Sequence, residues 1–203
     1  IAGIDTYEGD LFHTARWDHN AQLKDKRVAV IGTGCSGVQV IPNIASDVKD
    51  LTVFQRTAAW VLPKYDAVVS DKTKERFSRW PFLQRIVRGI LKWGSEALGP
   101  FLILDSEKLS SVFEWVAKRN LNKGIKDPSL RKKVTPNFQF GCKRMIISSD
   151  YYPTLEKENV TLETSGIAQF VNDGIVAKDG AKFELDAVIL ATGFDLGLTT
   201  APF

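Results

Sequence analysis

The stretch Arg27-Val28-Ala29-Val30-Ile31-Gly32-Thr33-Gly34-Cys35-Ser36-Gly37 decides the fold. Its apolar opening reads as a buried strand, its spaced glycines as a tight turn, and the apolar run over 38–45 as the helix that follows. A second strand, Leu51-Thr52-Val53-Phe54, leads to the tip Gln55-Arg56-Thr57. This is the layout of a dinucleotide-binding unit. The first glycine permits the turn, the second lets the backbone approach a pyrophosphate, and the third lets helix pack on strand. The pyrophosphate would lie against free N–H groups at the positive end of the helix.

A free ribose 2′-hydroxyl wants an acid at the end of the second strand, whereas a basic tip suits a 2′-phosphate. The expected cofactor is therefore NADP(H) rather than NAD(H). Its expected contacts are Gly32, Thr33, Gly34, Cys35, Ser36, Gly37 and Gln39, with Arg56 and Thr57 at the tip. Ser36 is expected to cap the helix and donate to a phosphate, and Cys35 to be a small residue that fits. Pro42 falls inside the helix, where its missing donor should kink or shorten it downstream of the binding turn. The competing reading of the same glycines is an ordinary strand–turn–helix without a ligand.

At 203 residues the chain has room for one large domain or two small ones, and 44% hydrophobic residues suffice for a proper core. The net charge of +3 is compatible with an anionic cofactor. No helix-turn-helix or RNA-binding signature accompanies it, so no nucleic-acid partner is expected. The two cysteines, Cys35 and Cys142, stand in no CxxC or metal-ligand spacing. A reducing, cytoplasmic setting fits best, with no metal site and no disulfide framework. The N-terminus shows neither the basic start nor the long apolar run of a signal peptide. It also lacks an initiator methionine, which points to an excised piece. No transmembrane segment is expected, because the best candidate, 82–104, carries Arg85, Arg88, Lys92 and Glu96.

Residues 1–23 are polar, aromatic and loop-like, and read as a linker feeding the first strand. The nucleotide unit occupies about 26–62. A helical insertion of about 67–133 follows, with Phe82, Ile86, Ile90 and Trp93 at helical spacing and with Gly99-Pro100 and Asp127-Pro128 as punctuation. Lys and Arg outnumber Asp and Glu there by roughly two to one. That reads first as a solvated face and second as a surface for a membrane or polyanion. Strands then resume. Asn159-Val160-Thr161-Leu162-Glu163 is one, and Asn172-Asp173-Gly174 marks a hairpin turn between two more. The last, Ala187-Val188-Ile189-Leu190, runs into Ala191-Thr192-Gly193-Phe194-Asp195. The fold class is α/β: over 24–203, one Rossmann-like domain with a parallel sheet, a β-hairpin or meander and a helical insertion.

Three further stretches carry a resemblance. Tyr7-Glu8-Gly9-Asp10-Leu11-Phe12-His13-Thr14-Ala15-Arg16-Trp17-Asp18 resembles the Baeyer–Villiger monooxygenase fingerprint FxGxxxHxxxW followed by Pro or Asp, with Tyr7 in place of the opening phenylalanine. Phe54-Gln55-Arg56-Thr57-Ala58-Ala59-Trp60 is similar to that family's QRT-x-x-W run. Gly141-Cys142-Lys143-Arg144, then Asp150-Tyr151-Tyr152-Pro153, matches in family order, and Ala191-Thr192-Gly193 looks like the segment that leads back to the flavin domain.

The resemblance implies a parent enzyme in which NADPH reduces FAD, and the reduced flavin and O2 insert one oxygen atom beside a ketone carbonyl. By the same resemblance Arg144 is the active-site cation, Lys143 reaches the 2′-phosphate, and Thr192 and Gly193 join the cofactor site. His13 belongs to a linker and serves structure or domain motion rather than proton transfer. The family's FAD motif lies upstream of the fingerprint, so the FAD domain is expected to be absent from this chain. The chain is then expected to bind NADP(H) and not to oxygenate alone. Lys143 also reads as a surface lysine and Arg144 as a structural ion pair. A nitrogen- or sulfur-oxidising flavin monooxygenase and a non-catalytic NADP-sensing domain stand as alternatives.

Overall fold

The computed structural model describes residues 1–64, 68–103 and 107–194. In chain order its elements are β1 (Asp10–His13), β2 (Arg27–Ile31), α1 (Cys35–Ile44), β3 (Asp50–Phe54), β4 (Val61–Leu62), α2 (Asp71–Arg79), α3 (Pro81–Ile103) and α4 (Glu107–Gly124). There follow α5 (Pro128–Val134), β5 (Ile146–Ile147), α6 (Tyr151–Leu155), β6 (Val160–Glu163), β7 (Ile167–Val171), β8 (Gly174–Ala177), β9 (Lys182–Glu184) and β10 (Ala187–Leu190). The central sheet has the order β1-β10-β2-β3-β6, with every neighbour parallel.

The strands are apolar along their length because both faces of the sheet are covered. Val28, Val30, Leu51, Val53, Ala187 and Ile189 pack with Val38 and Ile41 of α1 and with Tyr152 and Leu155 of α6. The alternate residues Ala29, Ile31, Phe54 and Val188 pack with Phe170, Ile175 and Phe183 of the antiparallel meander β7-β8-β9. Strand periodicity thus sorts one sequence into two cores. The expected α/β class, parallel sheet, hairpin and helical insertion are all present.

Four details differ from the sequence reading. Asp10–His13, read as part of a loop-like linker, is an edge strand paired in register with β10, Asp10 opposite Ala187 and His13 opposite Leu190. Helix α1 begins at Cys35 with Gly34 as its N-cap and no side-chain cap, so Ser36 sits inside the first turn and does not cap it. Pro42 does not end α1, which runs on to Ile44. A proline inside a helix costs about 3 kcal/mol, and burial of Val38 and Ile41, each worth roughly 1.5–3 kcal/mol, offsets it. Gly99-Pro100 lies within α3 and is no break; the described break is at Trp80, before Pro81, whose fixed φ suits a first helical turn. Asp127-Pro128 does start a helix, with the Asp127 carboxylate accepting from the N–H groups of Ser129 and Leu130.

The insertion is tied back to the domain by a second small sheet. β4 and β5 pair in parallel, and Trp60 and Leu62 pack with Ala117 of α4 and with Phe140. Asn120 of α4 donates to the carbonyls of Val61 (3.1 Å) and Ser148 (3.3 Å), bridging both strands. On α3 most of the apolar side chains, from Phe82 to Trp93, are exposed. No helix among the described residues is long and apolar enough to cross a membrane.

Candidate dinucleotide site

Strand β2 is followed by β3 on one side, while β10 returns on its other side. The carboxyl ends of β2 and β10 therefore border a topological switch point, where open α/β sheets bind ligands. The turn 32–37 leaves β2 at this point, and Ala191-Thr192-Gly193 leaves β10 beside it. The Ala191 N–H donates to the Ile31 carbonyl (2.8 Å) and the Gly32 N–H to the Phe54 carbonyl (3.0 Å). Three strand ends are thus stitched at one edge.

The three glycines are there for three different reasons. Gly32 has φ +109°, and a Cβ on it would run into the Ala191 carbonyl. A Cβ on Gly37 would run into the Gly32 carbonyl, so the third glycine sets the distance of helix from turn. Gly34 is different. Its backbone is extended (φ −78°, ψ −168°), it is exposed, and a Cβ would meet no atom within 4 Å. Nothing in the chain itself requires glycine there. The space above it is open to a ligand, and the uncapped first turn of α1 leaves N–H groups facing that space. These features fit a pyrophosphate.

Around this turn, Cys35 and Gln39 are exposed and Ser36 is half-buried. Thr33 is 8% exposed, and its hydroxyl donates to the Thr57 carbonyl at 3.4 Å, joining turn to tip. Arg56 and Thr57 are exposed, and the Arg56 guanidinium has no ion pair among the described residues. Gln55 is buried instead. Its backbone N–H donates to the Glu163 carbonyl (2.9 Å) and its side-chain amide to the Lys133 carbonyl (2.9 Å). Sequence reading missed this link from the tip to α5. The only signal was a polar residue at the end of a buried strand, which does not say which carbonyl it meets.

Thr192 and Gly193 lie exposed on the same edge, and Asp195 lies outside the described residues. His13 ends β1 there. Its Nδ1 accepts the Ala15 N–H at 3.0 Å and its ring meets Phe194 edge-on at 5.9 Å. Nδ1 is thereby engaged in shaping the local backbone.

Lys143 and Arg144 belong to the β4–β5 layer. Ile146 N–H donates to the Trp60 carbonyl (3.1 Å) and the Trp60 indole N–H to the Phe138 carbonyl (2.9 Å). Both cations are exposed, with the Lys143 ammonium 4.6 Å from the centre of the Phe138 ring. No hydrogen bond among the described residues joins either to the glycine turn. Cys142 is an exposed free thiol, as is Cys35. Two clefts, of about 450 Å³ beside Phe77, Val87 and Leu91 and about 320 Å³ beside Pro42, Asp150 and Lys157, have none of the turn residues in their walls.

Residues 1–93 match the family model described as flavin-binding monooxygenase-like. A Baeyer–Villiger monooxygenase of Streptomyces coelicolor is 43% identical over 194 residues, covering 96% of this chain and 37% of its own length. One from Pseudomonas aeruginosa is 41% identical over 202 residues, with the same coverage of 96% and 37%. The crystal structure of cyclohexanone monooxygenase from Rhodococcus sp. Phi1 bound to NADP+ superposes with a TM-score of 0.77 at 26% identity, covering 96% of this chain and 43% of that one. The chain thus spans under two fifths of the length of these two curated relatives. Along nearly all of its sequence the chain is homologous to part of these Baeyer–Villiger monooxygenases and shares their fold, and its first 93 residues match the flavin-binding monooxygenase-like family.

Proposed function

We propose that this chain is the NADP(H)-binding part of an FAD-dependent Baeyer–Villiger monooxygenase, which inserts one oxygen atom from O2 beside a ketone carbonyl. The observation that carries the reading is Gly34, a glycine with no conformational or steric reason inside the chain, at the switch point of the sheet and under an uncapped helix. FAD and nicotinamide, when bound, supply the hydride and oxygen chemistry.

The chain's own residues do the holding. The first-turn N–H groups at Cys35, Ser36 and Gly37 receive the pyrophosphate, and the missing Cβ of Gly34 lets it come close. Arg56 and Thr57 take the 2′-phosphate, with guanidinium geometry suited to its oxygens. Thr192 and Gly193 border the same edge. Arg144, exposed and without an ion pair among the described residues, offers a permanent cation for negative charge that builds on the reacting oxygen. Oxygen insertion needs a flavin-binding partner domain, so this chain alone binds NADP(H) and does not oxygenate.

Calorimetric titration of the chain with NADP+ and with NAD+, repeated on Arg56→Ala, tests the reading. The expected result is a preference for NADP+ that falls about tenfold or more in the variant, the effect of one charge-assisted contact. Tighter binding of NAD+, or no binding of either, overturns it.

A further inference from the structure

We infer that the helix pair α2–α3 is a peripheral membrane-docking surface, which lies on an anionic lipid bilayer with the apolar side of α3 in the headgroup layer. The inference is independent of the NADP(H) reading above and concerns a part of the chain that the reading does not use.

The spacing of α3 sorts its side chains. Phe82, Ile86, Ile90 and Trp93 recur at steps of four, four and three and share one side of the helix. Val87 and Leu91 widen that side, while Arg85, Arg88 and Lys92 run along the other. An amphipathic helix of a globular domain ordinarily turns its apolar side to a core. This one does not: Phe82, Ile86, Ile90 and Trp93 are between 51% and 71% exposed, and Trp80, at the break before α3, is exposed as well. The Trp80 and Phe82 rings meet edge-on with 6.0 Å between centres, so two aromatic residues stand together at the start of the helix. Single exposed apolar residues are ordinary, but six on one side of a helix make a patch that marks an interaction surface.

Charge names the occupant. Residues 71–93 carry seven Lys or Arg against two acids, Asp71 and Glu75. Lys74 pairs with Asp71, whereas Arg76, Arg79, Arg85 and Arg88 are exposed and without an ion pair among the described residues. A second copy of the chain would bring two such positive stretches together, which Coulomb repulsion opposes. A polyanion alone would use the cations and leave the apolar side in water. An anionic bilayer uses both, because Arg and Lys stems reach lipid phosphates while Phe, Trp, Ile and Leu side chains enter the headgroup boundary. Between α2 and α3 a cleft of about 450 Å³ joins the two chemistries, with Phe77, Val87 and Leu91 beside Arg88 and Lys92. No helix among the described residues is long and apolar enough to cross the bilayer, so α3 lies on it.

The test is co-sedimentation of the intact chain with phosphatidylcholine vesicles containing about one quarter phosphatidylglycerol, and with phosphatidylcholine vesicles alone, at low and at high salt. The expected result is binding to the anionic vesicles about tenfold or more tighter than to the neutral ones, weakened by salt and accompanied by a blue shift of tryptophan emission. The double variant Ile90→Ser and Trp93→Ser should bind about tenfold or more weakly, and so should Arg85→Gln with Arg88→Gln. All four side chains are exposed, so neither variant should alter Tm or NADP+ affinity appreciably. Absence of binding to anionic vesicles overturns the inference and leaves the NADP(H) reading standing. Equal binding to both kinds of vesicle overturns it too, as does a loss in the arginine variant with none in the apolar one, which would mark a polyanion site. Self-association that the apolar variant abolishes, without vesicle binding, assigns the patch to a second copy instead.

Discussion

Arg27 and Asp186 grip each other at the amino ends of β2 and β10. The guanidinium donates from Nη2 to Oδ1 at 2.7 Å and from Nε to Oδ2 at 3.2 Å. The Arg27 backbone N–H donates to the same carboxylate at 2.8 Å, and the Asp186 N–H returns a bond to the Arg27 carbonyl at 2.8 Å. The next residues, Val28 and Ala187, are register partners. A slip of one residue would exchange the two core faces of β10, so this pair fixes the strand whose far end carries Thr192 and Gly193.

The pair sets an acid limit on stability. The hydrogen bond from Arg27 holds the Asp186 carboxyl down at about 2, below the ordinary carboxylate range. A depressed folded-state value means that the stabilisation is complete above the unfolded value near 4 and is lost as pH falls toward 2. Because both side chains are about one-third exposed, solvent screening reduces the contribution to on the order of 1 kcal/mol. Denaturant unfolding of Asp186→Asn should show that deficit at pH 7 and a much smaller one at pH 2.5. A deficit independent of pH would sink the assignment.

The glycine turn separates stability from binding. Gly37→Ala drives a Cβ into the Gly32 carbonyl, a backbone atom that cannot swing aside, and should destabilise by about 1–3 kcal/mol. Gly34→Ala meets nothing in the chain and should leave Tm nearly unchanged while weakening NADP+ at least tenfold by blocking the pyrophosphate. Thermal scans and titrations on the two variants check this. Unchanged NADP+ affinity in Gly34→Ala would remove the ligand from above that residue.

The parts of this molecule that could be read from sequence are those whose cause is local. Val28-Ala29-Val30-Ile31 is apolar on both faces and bounded by glycine, so strand and turn follow from composition alone. Asn172-Asp173-Gly174 likewise announces the hairpin that brings Val171 opposite Gly174. Asp10-Leu11-Phe12-His13 does not announce itself, because an edge strand of four residues with two polar side chains looks like a loop until β10 pairs with it. Gln55 is hidden for a related reason. Its partner is a carbonyl 78 residues away, and no local pattern encodes that meeting. Arg56 and Arg144 were legible as residue types in motifs, but their separation onto the sheet edge and the β4–β5 layer is a tertiary fact.

Tyr7 stands where the resembling fingerprint has phenylalanine, and the structure supplies a reason. Its ring packs edge-on against Phe170 with 5.8 Å between centres, as a phenylalanine could, while its hydroxyl donates to the Leu185 carbonyl at 3.0 Å. Burial, helped by the charges of Asp186 and Asp10, pushes the phenol well above its ordinary value. A raised folded-state value makes the stabilisation complete below the unfolded value near 10 and lost as pH rises beyond it. Tyr7→Phe should therefore cost about 1 kcal/mol at pH 7, the worth of one net hydrogen bond, and nothing in NADP+ affinity. Between pH 10 and 11 the native chain should lose stability that the variant keeps, so their denaturation midpoints converge. Midpoints that stay parallel into alkali would show that the Tyr7 hydroxyl is not the titrating group.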